Sequence, residues 1–365
     1  MLLFSYNEDM DLFDYLNDYQ YKTIDKYPLN EIDMVLFSIL AYPHYEEFIG
    51  KKEIYNAKKM LKFLSNLDVS DLMDRKIEYL RLLKRVCQAP RYEGIKFYHF
   101  RVNHDEETTK QFQAITLILG KIVVVSYCGT DGTTVGFKED LNMSYLEVTP
   151  GEIEAIEYLK YIQKKKRPKY LYLVGHSKGG RLAEYSAKHF TKKEKLLGVY
   201  TFDAPNFKKE FYDSEYEKIS PLMNVYLPEE SIIGRLIAES AHYKIVKSTR
   251  HLLMQHDTLS WEIEDNHFVY SNEFSKRSTR IVNALNGVLE KYDNNTKKEF
   301  TDTLFDLIES ANIKSFTTKE ENIAMLKSAI PIFKVQWKNT PKEDRKSLKL
   351  ILLTLVVDFL KNKKN

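Results

Sequence analysis

A serine is centred between two glycines in Gly175-His176-Ser177-Lys178-Gly179. A serine hydroxyl becomes a nucleophile for acyl transfer once a neighbouring base can take its proton. The preceding run, Tyr170-Leu171-Tyr172-Leu173-Val174, is apolar and predicts a buried strand. The following run, Lys178 to Phe190, puts Leu182, Ala183, Ser186 and Ala187 at packing positions and predicts a helix. Strand, sharp turn and helix make a nucleophile elbow: the serine backbone is strained, and the flanking glycines give it steric room. The hydroxyl is lifted clear of the sheet at a helix N-terminus, where dipole and free N–H groups favour a developing oxyanion. A phosphate-binding loop is the competing reading. Gly175 to Gly180 is too short for a Walker loop, and Gly-Lys-Ser/Thr does not occur.

Such a serine needs a base, and the base needs an acid that orients it and stabilises its cation. In α/β-hydrolases the three follow in the order Ser, Asp or Glu, His. The acid is expected just past the predicted strand Met223 to Leu227, where Glu229 and Glu230 stand; Asp203, at the end of the preceding strand, is the alternative. Four histidines follow: His242, His251, His256 and His267. His256, in a loop between a strand and Trp261, is the favoured base, with His251 and His267 as nearby alternatives. His176 is too close to Ser177 in sequence to be its base and is expected to pack beside the turn. The backbone N–H of Lys178 is the first expected oxyanion donor.

The elements that must position these groups follow from periodicity. Up to about Tyr92 the pattern is helical, with Ile32, Val35, Leu36, Ile39 and Leu40, then Ile77, Leu80, Leu83 and Val86, at helical spacing. From Ile95 strands begin, and Gln113–Leu119 and Ile122–Tyr127 read as a hairpin turning at Gly120-Lys121. Helix and strand then alternate: a helix opened by Pro150, strands at 170–174, 197–202, 223–227 and 243–246, and a short helix around Ile232 to Glu239. After about Tyr270 only helices are predicted, at 278–292, 299–310, 320–333 and 344–360. The expected fold is α/β with a mostly parallel sheet. Its divisions are a helical segment over 1–92, a core over 93–270 and a helical appendage over 271–365.

Several motifs resemble class 3 lipases. Tyr127-Cys128-Gly129-Thr130 is similar to their F-R-G-T strand end, Phe137-Lys138-Glu139-Asp140 to W-x-x-D, Gly175–Gly180 to G-H-S-x-G-G, and Thr201-Phe202-Asp203-Ala204-Pro205 to T-F-G-x-P. The match spans roughly 112–268. Further marks resemble a bacterial family within this lipase-like group: Asn30-Glu31-Ile32-Asp33, the stretch Pro228 to Gly234, and Gln255-His256-Asp257 running to Ser260-Trp261. The resemblance implies an α/β-hydrolase fold, Glu230 as the acid, His256 as the base, and Thr130 as the second oxyanion donor through its N–H or hydroxyl. Cys128 stands where the family usually has an arginine that braces this loop.

Composition limits the function further. At 365 residues the chain can bury a large core, and 43% hydrophobic with 29% charged residues is ordinary for a globular protein. A net charge of +3, from 55 basic and 52 acidic residues, is no footprint of nucleic-acid binding. The lysine runs at 164–166 and 361–364 read as solvated helix ends. Two cysteines, no disulfide framework and no signal-like N-terminus give the expectation of a cytoplasmic protein. The longest apolar run, Leu350 to Val357, is too short to span a bilayer, so stable membrane insertion is not expected. No metal-ligand spacing or dinucleotide fingerprint occurs, so no cofactor is expected. The expected chemistry is serine-dependent hydrolysis of a small-molecule or lipid carboxylic ester. The alternative is a lipase-like scaffold used for binding or regulation.

Overall fold

The computed structural model describes residues 10–43, 45, 54–68, 74–238 and 242–310. The expected helices at 320–333 and 344–360, the run at 350–357 and the lysines at 361–364 lie outside the described residues. The strands are β1 (Ile54–Asn56), β2 (Lys96–Asp105), β3 (Lys110–Leu119), β4 (Ile122–Tyr127), β5 (Tyr170–His176), β6 (Leu196–Phe202), β7 (Met223–Pro228), β8 (Lys244–Val246), β9 (Ile263–Glu264), β10 (His267–Phe268) and β11 (Tyr270–Ser271). The helices are α1 (Leu12–Tyr19), α2 (Glu31–Ile39), α3 (Ala57–Leu64), α4 (Asp74–Gln88), α5 (Thr134–Asn142), α6 (Pro150–Lys166), α7 (Lys178–His189), α8 (Ser214–Glu217), α9 (Lys276–Lys291) and α10 (Asn294–Ser310).

One sheet runs in the order β1-β2-β3-β4-β5-β6-β7-β8-β11. The strands β4 to β8 are mutually parallel, while β1 to β4 and the β8–β11 edge pair antiparallel. The β3–β4 hairpin closes as expected, with Leu119 opposite Ile122 and Gly120 at φ +58° supplying the turn. Alternation along the strands divides two apolar layers. Val124, Val174, Phe202 and Tyr226 face a cluster shared with α1, α2 and α4, whereas Val123, Val125, Leu173 and Val199 face one shared with α6 and α7. Helices on both faces of a sheet with a parallel centre make the expected α/β architecture.

The N-terminal helices are set by their caps. Asn30 caps α2 and Asp33 closes a capping box, so the Asn30–Asp33 motif is first a helix start. The buried Asp33 carboxylate also takes the Arg91 guanidinium at 2.6 and 2.8 Å and the Tyr92 hydroxyl at 2.6 Å. Buried charge is tolerated when it is paired and hydrogen-bonded in this way. Thr149 opens α6 by a second capping box with Glu152, ahead of Pro150 at the first helical position.

Two expectations differ from the structure. The helical region before Tyr92 also contains β1, a short strand on the sheet edge. The helix expected at 232–239 is only a single 3₁₀ turn, Ile233–Arg235. Its residues are held elsewhere, because Ser231 Oγ and the Gly234 N–H both donate to Asp203 Oδ1, at 2.6 and 3.0 Å.

Candidate active site

Ser177 sits between β5 and α7 with φ +57° and ψ −135°, a region that a side chain disfavours. The flanking glycines show what holds it there. A Cβ on Gly175 would overlap the backbone of Gly179, and one on Gly179 would overlap the carbonyl of Tyr127 on β4. The turn is further tied by Ser177 N–H to Phe202 O at 2.9 Å, across to the neighbouring strand. Elbow strain is thus over-determined by contacts on both sides.

His256 lies at the end of a 3₁₀ turn, Leu252–His256. Its Nε2 is 3.0 Å from Ser177 Oγ, and its Nδ1 is 2.7 Å from Asp203 Oδ2. An ionised carboxylate accepts only, so Nδ1 carries the proton and Nε2 is free to accept from the serine. Asp203 is 1% exposed, stands at φ +46° just past β6, and takes two further donors on Oδ1 from Ser231 and Gly234. His176 and Phe202 are register partners on adjacent parallel strands, so the next residues, Ser177 and Asp203, emerge side by side at the strand ends.

Glu230, the expected acid, is elsewhere. Its carboxylate accepts from the Leu252 N–H at 2.8 Å and the Ser275 hydroxyl at 3.0 Å, and its own N–H donates to Gln255 Oε1 at 2.7 Å. It fastens the turn carrying His256 to the start of α9, while Asp203, the alternative, holds the imidazole. The physical reason is position: Glu230 follows β7, one strand further from the elbow. The sequence signal was the departure at 203, an ionisable residue where the T-F-G-x-P pattern has glycine.

The rest of the Gln255–Trp261 motif is a bracket for His256. Gln255 Nε2 donates to Arg250 O, Trp261 Nε1 donates to Gln255 O at 2.8 Å, and Asp257 accepts from the Leu259 N–H at 3.2 Å. Asp257 is held as an anion by Arg75 and Arg250, at 3.0 and 2.7 Å. Burial works against that charge, but the two guanidinium groups outweigh it and hold its pKa below the usual range. Among the other downstream histidines, His251 is mostly exposed beside Glu230 and His267 is an exposed residue of β10.

Lys178 is the first residue of α7, so its N–H has no partner within the helix. Its ammonium is buried, 3.1 Å from Glu139 Oε2 and 3.8 Å from Asp140 Oδ1 on α5. Burial disfavours the ammonium, but Glu139 and Asp140 outweigh it and raise its pKa. The Thr130 hydroxyl donates to Asp140 Oδ2 at 2.6 Å, which leaves the Thr130 N–H as the group available to an oxyanion. The loop is braced by this bond, by Gln111 Nε2 donating to Gly129 O at 3.4 Å, and by His104 on Asp131 at 3.0 Å. Cys128 is buried as a small apolar residue, and burial pushes its thiol far above the ordinary range. Among the described residues no group of three or more His, Cys, Asp or Glu side chains is arranged to hold a metal ion. No helix among them is long and apolar enough to cross a membrane.

A family model described as Mbeg1-like matches residues 86–306. No curated protein matches the chain. Among solved structures, the chain is similar to a lipase propeptide complex from Rhizomucor miehei at 12% identity, covering 60% of this chain and 68% of that one, with a TM-score of 0.34. It is also similar to the Lip2 lipase from Yarrowia lipolytica at 10% identity, covering 67% and 84%, with a TM-score of 0.37.

Proposed function

The chain belongs to the Mbeg1-like family, and we propose that it is a serine hydrolase that cleaves carboxylic esters through Ser177, His256 and Asp203. The observation that carries this reading is the unbroken chain of hydrogen bonds, Ser177 Oγ to His256 Nε2 at 3.0 Å and His256 Nδ1 to Asp203 Oδ2 at 2.7 Å. In the first step Ser177 attacks the ester carbonyl while His256 takes its proton. Asp203 keeps the imidazole in the right tautomer and stabilises the cation that forms. The tetrahedral oxyanion is met by the N–H groups of Lys178 and Thr130. His256 returns the proton to the leaving alcohol, and water then repeats the sequence to free the acid. Small-molecule or lipid esters are the substrate class.

Incubation with a fluorophosphonate tests the proposal. The wild-type chain is expected to take one adduct, mapped to Ser177 by peptide mass spectrometry, and Ser177→Ala is expected to take none while keeping its circular dichroism. An unlabelled wild-type protein, or equal labelling of Ser177→Ala, would overturn it. Aryl esters of graded acyl length then define the preferred chain.

A further inference from the structure

Tyr42 lies just past α2, in the stretch that precedes the residues matched by the family model. Its ring packs on Tyr79 and His176. Its hydroxyl is 2.7 Å from His176 Nδ1, and it occupies the place into which a Cβ on Gly129 would project. On the far side of the same imidazole, Nε2 is 2.7 Å from the backbone carbonyl of His256. A carbonyl only accepts, so Nε2 bears the proton and Nδ1 is left to accept from the tyrosine. His176 is therefore a neutral spacer: burial, and then the neighbouring His256, hold its pKa down to about 3. Two hydrogen bonds thus connect the N-terminal segment to the backbone of the base. Arg75 of α4 grips the next residue, Asp257, from the same segment.

We infer that Tyr42 is a positioning residue: through His176 it sets the backbone of His256 so that Nε2 stays within reach of Ser177, and its hydroxyl wedges the Gly129–Thr130 oxyanion loop. The inference rests on the serine-hydrolase reading. It makes the segment before the family-matched region part of the working site rather than a cover for the sheet. If the phenol served only to fill space, phenylalanine would do as well, so the decisive atom is the hydroxyl.

The test measures the second-order rate of fluorophosphonate labelling of Ser177 across pH in the full chain. The forms compared are wild type, Tyr42→Phe, His176→Phe, the double variant and His176→Gln. A shift of about 1 Å in a reacting group costs on the order of 10²-fold. Tyr42→Phe and His176→Phe are expected to label roughly 10- to 100-fold more slowly with unchanged circular dichroism. The double variant is expected to lose no more than the worse single variant, because both act along one path. Glutamine, whose N–H can reach the same carbonyl, is expected to recover part of the loss. Labelling of Tyr42→Phe at the wild-type rate, or single losses that multiply in the double variant, overturns the inference and leaves the serine reading standing. A wild-type chain that takes no label overturns the serine reading and the catalytic part of the inference with it. The hydrogen-bond chain is then judged alone by imidazole nitrogen NMR, where an unchanged His176 Nδ1 resonance in Tyr42→Phe overturns it.

Discussion

Two carboxylates near His256 do different work, and their partners decide which. Asp203 faces Nδ1 with one oxygen and is locked by Ser231 and Gly234 on the other, so it fixes both tautomer and ring orientation. Asp203→Asn is expected to lower kcat on an aryl ester by about 10⁴-fold, the scale of effect when the histidine tautomer is wrong. Glu230 instead binds the N–H of Leu252 and the hydroxyl of Ser275. Glu230→Ala leaves both donors without their acceptor, and a loss of about 1–3 kcal/mol in unfolding free energy is expected. Equal kcat losses in the two variants, with no stability loss in Glu230→Ala, would contradict this division.

At the scale of elements, the elbow depends on α5 as well as on β5 and α7. Glu139 accepts from the Gln111 N–H at 3.0 Å, the Gly151 N–H at 2.7 Å and the Lys178 ammonium at 3.1 Å, so one buried carboxylate ties β3, α6 and α7 together. Lys178→Met keeps the backbone N–H that would face the oxyanion but strands Glu139 without its cation. Breaking a buried pair from one side costs about 3–5 kcal/mol, and a urea midpoint lowered accordingly is the expected result. Most elements were legible because periodicity and caps agree locally, as at the β3–β4 hairpin and at Pro150. The helix expected at 232–239 failed because Ser231 and Gly234 turn toward Asp203, a partner 28 residues or more away that no local window contains. The edge strand β1 has only three residues, too few for alternation to register.

For the molecule as a whole, two buried groups give opposing pH dependences. Burial lowers the pKa of His176 from 6.5 to about 3, so between these values the unfolded chain binds the extra proton and stability falls as pH falls. Burial raises the pKa of Glu184 from 4.5 to about 7, offset in part by the Tyr216 hydroxyl and Arg181. Here the folded chain binds the extra proton, and stability falls as pH rises through that window. Between pH 4.5 and 6.5 the two contributions cancel, each having a slope of about 1.4 kcal/mol per pH unit. In Glu184→Gln the His176 slope is the one of this pair that remains. Urea unfolding is expected to show the variant gaining over wild type near pH 7, with the gain shrinking by about 1.4 kcal/mol per unit to nothing near 4.5. A gain independent of pH would show that Glu184 does not titrate in this range.

Ser177 as the nucleophile candidate and the strand-turn-helix around it follow from the sequence alone, because strain, glycine spacing and helix start all act within a dozen consecutive residues. His256 was legible as far as its motif context marked it among four histidines. Which carboxylate meets the His256 imidazole was decided only by tertiary structure. Glu230 and Asp203 are both plausible in chain order, but register between β5 and β6 brings residue 203, not 230, beside the elbow and onto the imidazole. The contribution of Tyr42 was equally invisible, since it lies 134 positions from its partner His176 and meets it only when α2 packs across the sheet. Local chemistry is written in short windows; which distant groups complete it depends on strand register and helix packing.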